Sequence, residues 1–137
     1  MTERIVGVLI SAPEGYAFQQ RDDIPGIVNP GMICVFSGAV EPEDESDISA
    51  ALREITEETS LNPDINELTP VCEITFDFTE REYAYNLYKL NVASTDFEVF
   101  EGQGLVIVPT DFDVRDYNFT PLTRDFLYHY LKQWGVK

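Results

Sequence analysis

Gly38 to Leu61 reads GAVEPEDESDISAALREITEETSL, a polar loop running into a segment with helical period. Val40 to Ser46 has the composition of a loop. From Asp47 onward the apolar residues Ile48, Ala51, Leu52 and Ile55 recur at spacings of three and four, as on one face of a helix. Ser46 or Asp47 can cap its N-terminus by accepting a hydrogen bond from an otherwise free N–H. At about 100° per residue, Glu57 and Glu58 lie roughly −60° and +40° from Glu54, so the three carboxylates share a face. Leu52 and Ile55 point roughly 100–160° away, towards a core.

Such a face is unfavourable by itself. Like charges three or four residues apart each cost a few tenths of a kcal/mol on a helix. The three acids also fall in the last turns, where the helix dipole favours cations. Arg53 can neutralise part of this charge, and a hard divalent cation held by oxygens could neutralise the rest. A solvated acidic helix face is the alternative reading of an isolated E-x-x-E-E.

On either side of this segment the pattern is β-rich. Arg4–Ile10 reads as a strand and Tyr16–Gln20 as its hairpin partner, with Gly15 in the turn. Arg21–Gly31, with two prolines, two glycines and two aspartates, is an ordered loop in which Asp22 and Asp23 cap a turn. Met32–Phe36 is a short strand. Pro63 ends anything helical, and Asn62–Glu67 is turn-like. Val71–Phe78 and Tyr83–Val92 form a hairpin around Thr79–Glu82, Phe97–Phe100 is a short strand, and Leu105–Val108 an apolar one. Pro121–Trp134 is a helix with an apolar stripe of Leu122, Phe126, Leu127, Tyr130, Leu131 and Trp134. The order suggests an α+β or α/β fold with a mixed sheet between helices, in one domain over residues 1–137.

Composition limits the function classes. A chain of 137 residues with 44% hydrophobic and 12% aromatic content folds around a core. A net charge of −16 argues against binding extended nucleic acid, which calls for a basic face. No run approaches the roughly 18 apolar residues of a membrane span, and Met1–Ile5 lacks signal-peptide features, so the expected location is cytoplasmic. Cys34 and Cys72 sit in apolar β-like runs and read as reduced core residues. His129, between two tyrosines of the last helix, reads as a surface or structural residue.

The box helix and its loop resemble the Nudix box, G-x5-E-x7-R-E-U-x-E-E-x-G-U with U an aliphatic residue. Gly38 opens it, seven residues separate Glu45 from Arg53, Arg53-Glu54-Ile55-Thr56-Glu57-Glu58 follows in register, and Leu61 closes it. Two positions depart: six residues rather than five separate Gly38 from Glu45, and Ser60 replaces a glycine suited to a left-handed helix cap, a change worth about 1 kcal/mol.

The resemblance implies an α+β fold, an α/β/α sandwich, and a Mg²⁺-dependent hydrolase, with Mn²⁺ as a substitute, that cuts the diphosphate bond of a small nucleotide-type substrate. It implies Glu54, Glu57 and Glu58 as metal ligands and base, Arg53 as the residue orienting them, and a metal-facing carbonyl at Gly38. Which glutamate is the base varies in the family. Glu101, in Glu101-Gly102-Gln103, resembles a further carboxylate of MutT-type members, with Glu98 as the alternative. The same comparison implies substrate contacts at Arg21, Phe78, Arg81 and Asn118. A nucleoside triphosphate is favoured as substrate, with a nucleotide sugar next. A catalytically weak nucleotide-binding module is the alternative, and a homodimer is left open.

Overall fold

The computed structural model describes residues 2–133, and the side chains of residues 2–129. Seven strands and two helices follow in the order β1 (Thr2–Ala12), β2 (Gly15–Gln20), β3 (Ile33–Cys34), β4 (Phe36–Ala39), α1 (Asp47–Glu58), β5 (Leu68–Phe78), β6 (Arg81–Asn91), β7 (Gly104–Val108) and α2 (Pro121–Gln133). Short 3₁₀ turns cover Ile65–Glu67 and Val114–Asp116. Trp134 lies outside the described residues, as do the side chains of Tyr130 and Leu131. No described helix is long and apolar enough to cross a membrane.

β1 is the centre of a mixed sheet ordered β3-β2-β1-β6-β5, with β4 also on β1 and β7 also on β2. It runs parallel to β6 from Thr2↔Glu82 to Ser11↔Asn91 and antiparallel to β2 and β4. A strand covered on both faces must be apolar on both, and β1 is. Val6, Val8 and Ile10 meet Ala50, Ala51 and Ile55 of α1. Leu9 joins Phe18, Leu87, Phe119, Phe126 and Leu127 on the α2 side. The α/β/α sandwich expected from the sequence is the fold found.

Local details differ from the sequence reading for identifiable reasons. The strand expected over Met32–Phe36 divides at Val35, whose N–H donates to Thr123 Oγ1 of α2 (3.3 Å) instead of to a strand. The turn expected over Thr79–Glu82 shrinks to Thr79 and Glu80. Both have positive φ (49° and 65°), which closes a tight two-residue hairpin and releases Arg81 and Glu82 into β6. Phe97–Phe100 makes only a single bridge, Thr59↔Val99. Pro70 is tolerated because β5 is a sheet edge, and the pairing shifts register beside it.

Candidate active site

α1 starts at Ser46, whose hydroxyl accepts from Ser49 N–H (3.2 Å). Asp47, the other capping candidate, instead takes Arg4 Nε (3.0 Å) and Asn86 Nδ2, tying the helix start to β1 and β6. Small side chains at Ala50 and Ala51, both fully buried, let the helix lie against the sheet. That docking carries the last two turns, with Glu54, Glu57 and Glu58, to the end of β4, where Glu54 meets Gly38.

Arg53 stitches the loop before the helix to those turns. Its Nε and Nη2 reach the two oxygens of Asp44 (3.0 and 2.9 Å), and Nη2 also donates to Ala39 O (3.0 Å). Nη1 reaches Glu54 (3.1 Å) and Glu57 (3.3 Å). This fork-to-carboxylate geometry fixes both partners, and Arg53 holds Asp44 below the usual carboxylate range. The acid on Arg53 is therefore Asp44 and not Glu45, which is exposed. Five residues separate Gly38 from Asp44, so the supernumerary residue lies on the helix side of the loop.

Glu54 is half-buried and lies against the Gly38 backbone, where a Cβ would overlap its carboxylate. What residue 38 requires is thus the absence of a side chain, since its φ is ordinary. Burial raises the Glu54 pKa, partly offset by Arg53. Glu57 is mostly exposed and turned towards Arg53. Glu58 differs from both. Only 6% of it is exposed, and its Oε2 has no hydrogen-bond partner. Its pKa is pushed up to about 8, first by burial, then by the charges of Glu54 and Glu101 and a hydrogen bond with Glu101.

Glu101 is delivered by a segment pinned on both sides. Ser60 N–H donates to Glu98 O (3.0 Å) and Glu98 N–H to Ser60 Oγ (2.8 Å). Phe100 N–H then donates to Glu58 O (2.8 Å), Gln19 Nε2 to Glu101 O (3.1 Å), and Gln103 N–H to Gln20 O (2.8 Å). Gly102 (φ 75°) passes so close to Gln20 O that a side chain there would clash. Ser60 does not adopt a left-handed cap, and its hydroxyl secures this segment, so the cost expected from losing glycine does not arise.

The pinned segment, α1 and the loop after β2 enclose a cleft of about 600 Å³ whose lining includes Glu58, Glu101, Ser37, Arg21, Ile27 and Phe100. Arg21 Nε donates to Val28 O (2.8 Å), which curls the loop over the cleft. The other expected substrate contacts do not line it. Phe78 and Arg81 flank the β5–β6 turn, with Arg81 facing Glu3 (3.4 Å). Asn118 is exposed, its carbonyl accepting from Ile33 N–H (2.8 Å). Sequence reasoning missed Asp44, Ser60, Ile27 and Phe100. Only Asp44 had a signal, the five-residue spacing from Gly38.

The carboxylates suit a hard divalent cation. They offer oxygen donors only, and the buried, unpartnered Oε2 of Glu58 is the kind of atom such an ion satisfies. Among the described residues, no three acids, cysteines or histidines already form a closed ligand set.

A family model described as NUDIX domain matches residues 1–124. A search of curated proteins gives no significant match. Many solved structures resemble this one. The MutT protein of Methanosarcina mazei Go1 has a TM-score of 0.73 at 19% identity, over 96% of this chain and 94% of that one. A Caenorhabditis elegans Ap4A hydrolase (C. elegans) has 0.66 at 21% identity, over 96% and 98%. The bifunctional NMN adenylyltransferase/ADP ribose pyrophosphatase of Francisella tularensis, complexed with AMP and a Mn ion, has 0.72 at 14% identity, over 97% of this chain but 42% of that longer one. At these identities the likeness is one of fold, while the family match spans the box, the cleft and every strand. The chain belongs to the NUDIX family.

Proposed function

We propose that this chain is a Mg²⁺-dependent pyrophosphohydrolase that cuts the diphosphate bond of a nucleoside triphosphate or, second, of a nucleotide sugar. The observation that carries the reading is Glu58, a buried carboxylate with an unpartnered oxygen beside Glu101 at a cleft of nucleotide size. Glu54, Glu57, Glu58, Glu101 and the Gly38 carbonyl would hold the cation. Bound there, it supplies the positive charge that a polyphosphate requires and makes water more acidic.

The chain's own residues do the rest. Arg53 orients Glu54 and Glu57 through Nη1 and keeps them from turning outward. Without the cation, burial raises the proton affinity of Glu54 and Glu58, and a cation held by them would favour their ionised forms. Among the described residues lining the cleft, Arg21 is the one cationic side chain, placed to meet a phosphate as it enters.

The test is a panel of nucleoside triphosphates, nucleotide sugars and dinucleotides, with and without Mg²⁺ or Mn²⁺, following phosphate or pyrophosphate release. Metal-dependent turnover that collapses in Glu58→Gln is the expected result. No turnover of any compound with either metal would reject it in favour of a nucleotide-binding module.

A further inference from the structure

Phe100 is a large apolar side chain held in the open. It is 57% exposed, although a phenyl ring in water forgoes the free energy of burial. Its neighbours Phe97 and Val99 turn inward against the α1-side core, so the segment has an inner face and Phe100 stands on the other. Mobility does not explain this. The backbone on both sides is fastened, by Phe100 N–H to Glu58 O, by the Thr59↔Val99 bridge and by Gln19 to Glu101 O. Ile27 is the other apolar side chain of the cleft lining, with Ile24 and Val28 exposed on the same loop.

We propose that Phe100 and Ile27 form the subsite for a planar nucleobase, which stacks on the Phe100 ring while its phosphates turn towards Glu58 and Glu101. The subsite rests on the hydrolase reading above and adds to it where the base sits. An aromatic face takes any base, because every base has a π-surface. The subsite therefore discriminates strongly between compounds with and without a base, and weakly among bases. Phe78 is equally exposed, but it stands at the β5–β6 hairpin turn and not on the cleft.

The experiment has an optical and a kinetic arm. Phe100→Trp is made together with Trp134→Phe, which removes the sequence's single natural tryptophan. Saturable quenching by ADP, GDP and UDP with Mg²⁺, at midpoints within severalfold of one another, and none by ribose 5-phosphate, is the expected result. On a nucleotide that the enzyme turns over, Phe100→Ala raises KM about tenfold with kcat changed less than twofold, and Phe100→Tyr restores KM. Quenching by ribose 5-phosphate as strong as by ADP, or a KM indifferent to Phe100→Ala, would overturn the subsite while leaving the hydrolase reading intact. Base-dependent quenching in a protein that hydrolyses no anhydride would support the subsite and sink that reading.

Discussion

The two ends of α1 treat negative charge in opposite ways. Around its start, Asp47 lies on Arg4 and Asp44 on Arg53, and both acids are held below the usual carboxylate range. At its end, Glu58 meets Glu101 and Glu54 in a buried place, and its proton affinity rises instead. The residue type is nearly the same, and the helix is one continuous piece. The difference lies first in burial, which raises Glu58, and then in how closely a guanidinium is held to each acid. Balanced acids fasten the helix to the sheet and the loop to the helix. Unbalanced ones store a demand for positive charge where the cleft opens.

The sharpest way to break this contrast is to neutralise the unbalanced end. Glu58→Gln keeps the shape and removes the charge, so turnover with Mg²⁺ should fall by at least about a hundredfold, the scale of losing one charge-stabilising group in an active site. Metal-free Glu58→Gln should melt at a higher temperature than the parent at pH 8. Steady-state kinetics and calorimetry on the same preparation check both. A Gly38→Ala change should come next, with about a hundredfold loss in kcat/KM, because the new methyl displaces the Glu54 carboxylate. Circular dichroism should show the fold retained.

At the balanced end, Asp44→Asn should lower kcat/KM by about 10–100-fold, as for residues that orient metal ligands. Glu45→Gln, one residue on, should change stability by less than about 0.5 kcal/mol and activity hardly at all. Equal effects at the two positions would undo the assignment of Arg53 to Asp44.

The smallest expected effect is on thermal stability against pH in the absence of metal. Glu58 holds its proton up to about pH 8 when folded, whereas an unfolded glutamate releases it in the ordinary carboxylate range. Folding therefore binds a proton between those limits, and stability falls as pH rises through them. Asp47 acts with the opposite sign, its contribution being lost only as pH falls below the ordinary aspartate range. A parent protein whose melting temperature drops by a few degrees from pH 5 to pH 8, against a flatter profile for Glu58→Gln, is the expected pattern.

What was legible in the sequence was whatever depends on neighbours along the chain. The α1 period, the acid face and the apolar strands are local, and they sufficed for the box helix and a mixed sheet between helices, while the sandwich itself was implied by the resemblance to the Nudix box. The division of β3 from β4 was not legible, because Val35 leaves the ladder for Thr123, far along the chain. The exchange of Glu45 for Asp44 depends on a loop closed by Asp44 N–H to Glu41 O (3.0 Å) and Glu41 N–H to Asp44 Oδ2 (2.8 Å), which turns residue 44 inward. Spacing alone cannot tell adjacent acids apart. Ser60 looked like a defect because a glycine there suggests a left-handed cap, yet the backbone needs none and the hydroxyl gains a partner in Glu98. Phe100 carried no signal at all, since an aromatic in a β-like run reads as core until its face of the segment is known.

The parallel ladder between β1 and β6 has a consequence for synthesis. Its partners stand about 80 residues apart, from Thr2↔Glu82 onward, and β1 lies at the middle of the sheet. At roughly 5–20 residues per second, β1 spends about 4–16 seconds outside the ribosome before β6 has been made. During that interval β2 and β4 can pair with it, but the edge that β6 will occupy stays open. β2 waits longer still for β7, its partners running from Gln20↔Gly104 to Tyr16↔Val108, so the two apolar strands at the heart of the finished sheet are the parts of the nascent chain on which a chaperone would have most to cover.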